Sequence, residues 1–91
     1  MADVIVTLKV MPESPETDLS EIQGKVEHLV KEFGGEVGKV EEEPVGYGLK
    51  AMKFFFVMPE DIGSTEDLEE QIQQLDGVNS VEVTDVRRAI G

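Results

Sequence analysis

The stretch Glu43-Pro44-Val45-Gly46-Tyr47-Gly48-Leu49-Lys50 lies at the middle of this 91-residue chain and joins two segments with the character of β-strands. Glycine adopts positive φ without steric cost, so Gly46 and Gly48 allow a tight reversal that displays Tyr47 at its tip. An aromatic side chain in this position is either a lid that folds back over the core or an anchor for a partner's pocket. We therefore predict a fold organised around a central hairpin.

The segment after this turn, residues 49–58, is the most apolar in the chain. Its alternating positions define two faces, Met52, Phe54, Phe56 and Met58 on one and Lys53, Phe55 and Val57 on the other. A strand that is apolar on both faces is typical of the centre of a sheet. Residues 36–45, before the turn, form a weaker strand, and Pro44 near its end favours an edge because proline donates no ladder hydrogen bond.

A strand and a helix precede this hairpin. Residues 3–10 alternate, with four apolar positions on one face: Val4, Val6, Leu8 and Val10. Asp18 followed by Glu21 predicts a capping box that begins the helix, and Gly34-Gly35 predicts a left-handed cap after Phe33.

A helix and a strand also follow the hairpin. Ser64 with Asp67 predicts the start of the second helix, and Gly77 predicts its end. The last strand spans residues 78–88. Its alternation slips between Val83 and Val86, which predicts a β-bulge.

An internal echo supports two similar units, because Val10-Met11-Pro12-Glu13 returns as Val57-Met58-Pro59-Glu60. The echo puts Val10 and Val57 on equivalent faces, whereas hydrophobicity puts Val10 and Met58 towards the helices, and we follow hydrophobicity. Two βαβ units joined through a hairpin give an α+β, ferredoxin-like two-layer sandwich with βαββαβ order. We expect an antiparallel sheet in the order 4-1-3-2, both helices on one face, and one domain over residues 1–91.

The sheet face away from the helices is predicted to be unusually apolar for solvent surface. Its members would be Ile5, Thr7, Lys9, Leu49, Ala51, Lys53, Phe55 and Val57. Such a face is either solvated or a contact or oligomer interface.

Composition excludes several classes of protein. Twenty acidic residues against eight basic ones give a formal net charge of −12, which disfavours direct binding to nucleic acid or anionic membrane and leaves a basic protein surface as a fitting partner. The absence of cysteine excludes disulfides and thiolate metal sites and favours the cell interior. No apolar run approaches the roughly 20 residues of a membrane span. We expect a cytoplasmic protein that is monomeric when free.

The sequence offers no convincing set of catalytic groups, so we expect no catalytic residue, metal or cofactor. His28, the only histidine, falls on the polar flank of the first helix. Glu41-Glu42-Glu43 alternate between opposite faces of a strand, which suits a solvated charge run better than a cation site. Gly46-Tyr47-Gly48 lacks the spacing and the helix N-terminus of a phosphate cradle. Phe55 could stack a base, but the net charge opposes RNA binding.

Arg87-Arg88 is the one basic cluster near the C-terminus of an acidic chain. The two arginines either balance nearby carboxylates such as Asp85 or form a charged terminus that reaches into a partner.

Three segments resemble the archaeal type of the elongation factor 1-beta family: residues 43–50, the Met-Pro-Glu turn at residues 11–13, and Val-Glu-Val-Thr-Asp-Val-Arg-Arg at residues 81–88. The similarity covers essentially the whole chain and extends to the C-terminal catalytic domain of the eukaryotic factor. The resemblance implies a ferredoxin-like guanine nucleotide exchange factor for elongation factor 1-alpha. Such an exchange factor would act without covalent chemistry.

The resemblance also implies site residues. Tyr47 matches the family's hydrophobic anchor, with Gly46 and Gly48 holding it out. In the eukaryotic proteins a lysine at the extreme C-terminus disturbs the magnesium and phosphate region of the nucleotide site, but here that position falls near Gly91. The nearest cations are Arg87 and Arg88, followed by a tip of Ala89, Ile90 and Gly91.

Strand order 4-1-3-2 predicts that Tyr47 and Arg88 lie at opposite ends of the sheet, an arrangement suited to bridging two domains of a partner. Two other classes remain open. A ligand-sensing regulatory module of the same fold would bind metabolites at a dimer interface. An enzyme of the acylphosphatase kind would need an arginine anion cradle near the first strand, which the sequence does not offer.

Overall fold

The computed structural model describes residues 3–89, which form a four-stranded sheet and two α-helices. The elements in chain order are β1 (Asp3–Pro12), α1 (Leu19–Phe33), β2 (Glu36–Gly46), β3 (Leu49–Pro59), α2 (Glu66–Gln73) and β4 (Val78–Ala89). A 3-10 turn at Glu60–Ile62 connects β3 to α2.

The strands pair antiparallel in the order β2-β3-β1-β4, which confirms the predicted ferredoxin-like topology. β1 and β3 lie at the centre, and β2 with its Pro44 lies at an edge, as the proline predicted. In this topology the hairpin between β2 and β3 and the C-terminal end of β4 lie at opposite ends of the sheet. Asp3 pairs with Ala89, whereas Val10, near the other end of β1, pairs with Met52.

The core lies between the helices and one face of the sheet. Its buried side chains on β3 are Met52, Phe54, Phe56 and Met58. Val10 is also buried in this layer, whereas Val57 is exposed on the other face. The choice of hydrophobicity over the internal echo is therefore confirmed. From the helices, the core takes Ile22, Val26 and Val30 of α1 and Leu68 and Ile72 of α2.

The ends of α1 follow the sequence closely. The Asp18 carboxylate accepts hydrogen bonds from the backbone N–H groups of Ser20 (3.0 Å) and Glu21 (3.3 Å), which confirms it as the N-cap. The reciprocal half of the predicted capping box does not form among the described residues, because the Glu21 carboxylate pairs with Lys25 at 3.3 Å. Gly34 takes the left-handed conformation with φ 108° and ends the helix, as predicted.

The ends of α2 differ from the prediction. The N-cap position is Thr65, one residue after Ser64, although the Ser64 hydroxyl still accepts a hydrogen bond from Glu66 N–H at 3.1 Å. The helix ends at Gln73, so Gly77 is not its cap. Gly77 instead has φ 89° in the turn before β4, where an added Cβ would lie 2.9 Å from the Thr17 methyl group.

The predicted bulge in β4 lies at Thr84. Thr7 pairs with Asp85 and Leu8 pairs with Val83, so Thr84 has no partner on β1, and its hydroxyl donates to the Thr7 carbonyl at 3.4 Å. The extra residue shifts the alternation, and Asp85 therefore lies on the open face of the sheet, which is the face without helices.

Candidate functional site

Tyr47 occupies a strained position at the tip of the hairpin. Gly46 pairs with Leu49, and the two residues between them, Tyr47 and Gly48, have φ of 55° and 76°. Positive φ at both central positions is the signature of a type I′ turn, which is normally built from Asn and Gly. A tyrosine there bears a steric cost of roughly 1 kcal/mol, because its Cβ crowds the backbone in the left-handed region.

The tyrosine side chain points into solvent. Tyr47 is 98 % exposed, so the alternative that it folds back as a lid over the core does not hold. Gly46 shares the positive φ of the turn, at 102°. A ring that buries nothing in a backbone conformation unfavourable for it does not contribute to the stability of the fold.

Pro15 lies close to the hairpin, a proximity that the sequence did not indicate. A Cβ added at Gly48 would lie 3.7 Å from two carbons of the Pro15 ring, which is ordinary packing distance. Pro15 itself is held in a turn in which Thr17 N–H donates to the Ser14 carbonyl at 3.2 Å and Ser14 N–H donates to the Thr17 hydroxyl at 3.2 Å.

The arginines at the other end of the sheet lie on opposite faces. Arg87 pairs with Ile5 on the open face, and its Nε donates to Asp85 Oδ2 at 2.8 Å. Arg88 lies on the helix face, where Nη2 is 3.0 Å from Glu60 Oε2. The balance of Arg87 by Asp85 is thus confirmed, but the two arginines do not form one cluster. Ala89 ends β4, and Ile90 and Gly91 lie outside the described residues.

The two ends are separated by the length of β3. Arg88 and Met58 both pair with Val4, and Met58 to Leu49 spans nearly all of β3, about 30 Å at ~3.3 Å per residue. The predicted separation of Tyr47 from Arg88 is confirmed.

The acidic run of β2 is paired residue by residue with lysines. Its ion pairs are Glu41 with Lys39 (2.9 Å), Glu42 with Lys50 (3.9 Å) and Glu43 with Lys53 (3.0 Å). The hydrogen bond from Lys53, and then its positive charge, lowers the pKa of the Glu43 carboxyl below its ordinary value. Each glutamate of this run therefore neutralises a different lysine, and the three carboxylates do not converge on one point.

The described residues offer little else for chemistry. Over residues 3–89 no group of three His, Asp or Glu side chains converges on a cation site, and neither helix has the length and apolarity needed to cross a bilayer. His28 is exposed, and its Nε2 lies 2.6 Å from Glu32 on the same helix. Both residues lie on the outer surface of α1, as the sequence predicted for His28.

These features define a class of protein: a small ferredoxin-like sandwich whose distinctive side chains project from the two ends of its sheet. The chain matches the family described as the EF-1 guanine nucleotide exchange domain over residues 5–89, and it belongs to that family. The resemblance found in residues 11–13, 43–50 and 81–88 is thereby confirmed.

Full-length relatives agree with this assignment. Elongation factor 1-beta of Methanothermobacter thermautotrophicus is 43 % identical over 88 residues, covering 97 % of this chain and 98 % of that protein. Elongation factor 1-beta of Methanosphaera stadtmanae is 46 % identical with the same coverage, and that of Staphylothermus marinus is 42 % identical over 89 residues, again with 97 % and 98 % coverage. The family acts in translation elongation by guanine nucleotide exchange and not by covalent chemistry.

Solved structures with low sequence identity share the fold. The ACT domain of GTP pyrophosphokinase from Chlorobium tepidum aligns with a TM-score of 0.60 at 12 % identity, covering 89 % of this chain and 97 % of that one. The C-terminal domain of the MgtC protein from Mycobacterium tuberculosis aligns with a TM-score of 0.61 at 14 % identity, covering 98 % and 88 %. These likenesses concern the fold alone.

Proposed function

We propose that this protein is a single-domain exchange factor that promotes replacement of GDP by GTP on elongation factor 1-alpha in the cytoplasm, acting as a monomer when free. The observation that carries the proposal is Tyr47. Its ring is almost fully exposed and is held in a left-handed turn that disfavours it. Exposed aromatic side chains on rigid supports are the residues that most often anchor protein interfaces.

In this proposal the two ends of the sheet have different tasks. Tyr47, flanked by Gly46 and Gly48, inserts into a pocket of the partner and holds it. The C-terminal end, about 30 Å away, carries Arg87 and Arg88 followed by Ala89, Ile90 and Gly91, and it disturbs the nucleotide site.

Exchange then needs no catalytic group on this chain. A surface that binds the nucleotide-free GTPase better than the GDP form weakens GDP binding by the same factor, because the two equilibria are linked. Arg88 is paired with Glu60 in the free protein. When Arg88 binds the partner, it therefore leaves the Glu60 carboxylate for an acceptor on the partner. The free protein does not need to keep Arg88 unpaired.

The test is release of labelled GDP from the cognate elongation factor 1-alpha with and without this protein. Acceleration at substoichiometric amounts is expected, since an exchange factor turns over. A ligand-sensing module would instead form a metabolite-dependent dimer, visible by gel filtration, and would leave GDP release unchanged.

A further inference from the structure

The large exposed apolar side chains of residues 3–89 fall into two groups at the two ends of the sheet. Tyr47 is at the hairpin end. Ile5, Val57 and Val86 are all at the C-terminal end, because Ile5 pairs with Val57 on one side and with Arg87, the neighbour of Val86, on the other. Single exposed aliphatic residues such as Val86 need no explanation, whereas Ile5 and Val57 pair with each other on one face of the sheet.

Ile5 and Val57 form an uncovered apolar pair on the open face of the sheet. Their exposed fractions are 38 % and 37 %. Thr7 and Ala51 lie on the same face, which has no helix over it, and both are buried. Neighbouring side chains on this face therefore cover its middle and leave the row at the C-terminal end open.

Arg87 closes this row on the β4 side without covering it. Its Nε donates to Asp85 Oδ2 at 2.8 Å, and Asp85 lies in the next row of the open face, opposite Thr7. The contact given for Arg87 uses Nε, and a planar guanidinium presents further N–H groups that are suited to a second carboxylate.

We propose that the Ile5 row, defined as Val57, Ile5 and Arg87 across β3, β1 and β4, is a contact surface for the GTPase that Tyr47 holds. The apolar pair takes an aliphatic side chain of the partner, and Arg87 takes a partner carboxylate. The inference rests on the proposed function and deepens it, since it states that the GTPase approaches the C-terminal end over the open face.

The size and position of the row favour this occupant over a second copy of the chain. Two partly exposed aliphatic side chains are far short of the roughly 800 Å² that each partner buries in a stable complex. Two copies would also each bring a net charge of −12. In the proposed function Arg87 already contacts the partner, so the same small row extends an interface that Tyr47 anchors at the other end.

The experiment compares the double variant Ile5→Thr/Val57→Thr with Val86→Thr as the matched control. Threonine keeps the β-branched shape that strands favour, and its hydroxyl replaces a methyl group of valine or the ethyl group of isoleucine. Val86 is 56 % exposed at the same end of the sheet but on the helix face. Each variant is measured for its thermal melt, its affinity for nucleotide-free elongation factor 1-alpha and its stimulation of GDP release.

We expect the double variant to keep its melting temperature, to lose roughly tenfold in affinity and to stimulate release less, while Val86→Thr stays within about twofold of the unaltered protein. Equal losses in both variants, or no loss in the double variant, would overturn the inference and leave the proposed function standing. A change in sedimentation of the free double variant would assign the row to self-association and also overturn it. If the unaltered protein does not stimulate GDP release, the proposed function fails and this inference fails with it.

Discussion

Tyr47 and Arg88 lie about 30 Å apart along the strands, at opposite ends of one four-stranded sheet. A separation of this size means that no small ligand touches both, but a protein with two domains can. Lesions at the two ends should therefore have different consequences, and each end can be altered without disturbing the core.

Replacing Tyr47 tests both its exposure and its strained backbone. Tyr47→Ala should leave the melting temperature nearly unchanged and reduce affinity for nucleotide-free partner at least tenfold to thirtyfold, because an anchor residue can contribute about 2 kcal/mol. Tyr47→Gly should lose the same affinity but be about 1 kcal/mol more stable than Tyr47→Ala, since only glycine is unstrained at this φ. Urea melts and binding titrations measure both effects.

Two results would contradict this prediction for Tyr47. A large loss of stability in Tyr47→Ala with normal GDP release would identify the tyrosine as a structural residue. An alanine variant more stable than the glycine variant would show that residue 47 does not hold a positive φ.

Deleting residues 88–91 should separate binding of the partner from stimulation of GDP release. The truncated protein should retain most of its affinity for nucleotide-free partner, because the hairpin is intact, while its stimulation of GDP release falls. Circular dichroism verifies that the sheet still forms. If the truncated protein still stimulated GDP release from the partner at the normal rate, another part of this chain would disturb the nucleotide site.

The two faces of β3 should differ in their tolerance of truncation. Phe54 is 0 % exposed in the core. Phe54→Ala should lower the free energy of unfolding by about 3 to 5 kcal/mol, which is much of the total stability of a small domain. Phe55 is half-buried on the open face beneath Lys39, whose Nζ is 5.6 Å from the ring centroid, and Phe55→Ala should cost clearly less. Denaturant melts that ranked Phe55→Ala as the more damaging change would reverse the assignment of faces.

Association with the partner should weaken as salt rises, mainly through the on-rate. The chain carries a net charge of −12, and α2 contributes Glu66, Asp67, Glu69 and Glu70 without a basic residue. Attraction of such a surface to a basic partner acts at long range and is screened beyond about 8 Å at physiological ionic strength. Stopped-flow association between low and high salt measures it, and an unchanged on-rate would mean that the charge serves solubility alone.

The ion pair between Glu43 and Lys53 should contribute to stability in a pH-dependent way. The pKa of the Glu43 carboxyl is lowered in the folded state, so its contribution is present above the ordinary value of 4.5 and is lost as the pH falls through the folded value. The difference in melting temperature between the unaltered protein and Glu43→Gln should therefore be greatest near neutral pH and should shrink below about pH 4.5. Glu42→Gln, whose carboxylate lies 3.9 Å from Lys50, is the matched control. A difference that grew on acidification would contradict the prediction.

The sequence predicted those features that depend on period and local chemistry. Alternation over residues 49–58 identified Phe54 as buried and Phe55 as facing away, because a strand changes face at every residue. Pro44 identified the edge strand, and the slipped alternation in β4 identified the bulge at Thr84. Each of these signals is contained within a few neighbouring residues.

Contacts between distant segments were not predictable in the same way. Arg88 contacts Glu60 across 28 residues of sequence, and Pro15 lies near Gly48 because the fold brings two turns together. Ser64 and Thr65 are both competent N-caps, so propensity alone could not place the start of α2.

The pairing of Asp3 with Ala89 has a practical consequence for any added segment. Residues 3 and 89 are neighbours, so a purification tag, a fluorophore or a fused domain joined beyond either of them would emerge beside the Ile5 row. Immobilisation through such a handle would hinder access to that end and turn the hairpin towards solution. A biosensor prepared in this way would measure mainly the affinity contributed by Tyr47 and would underestimate every contact made at the opposite end of the sheet.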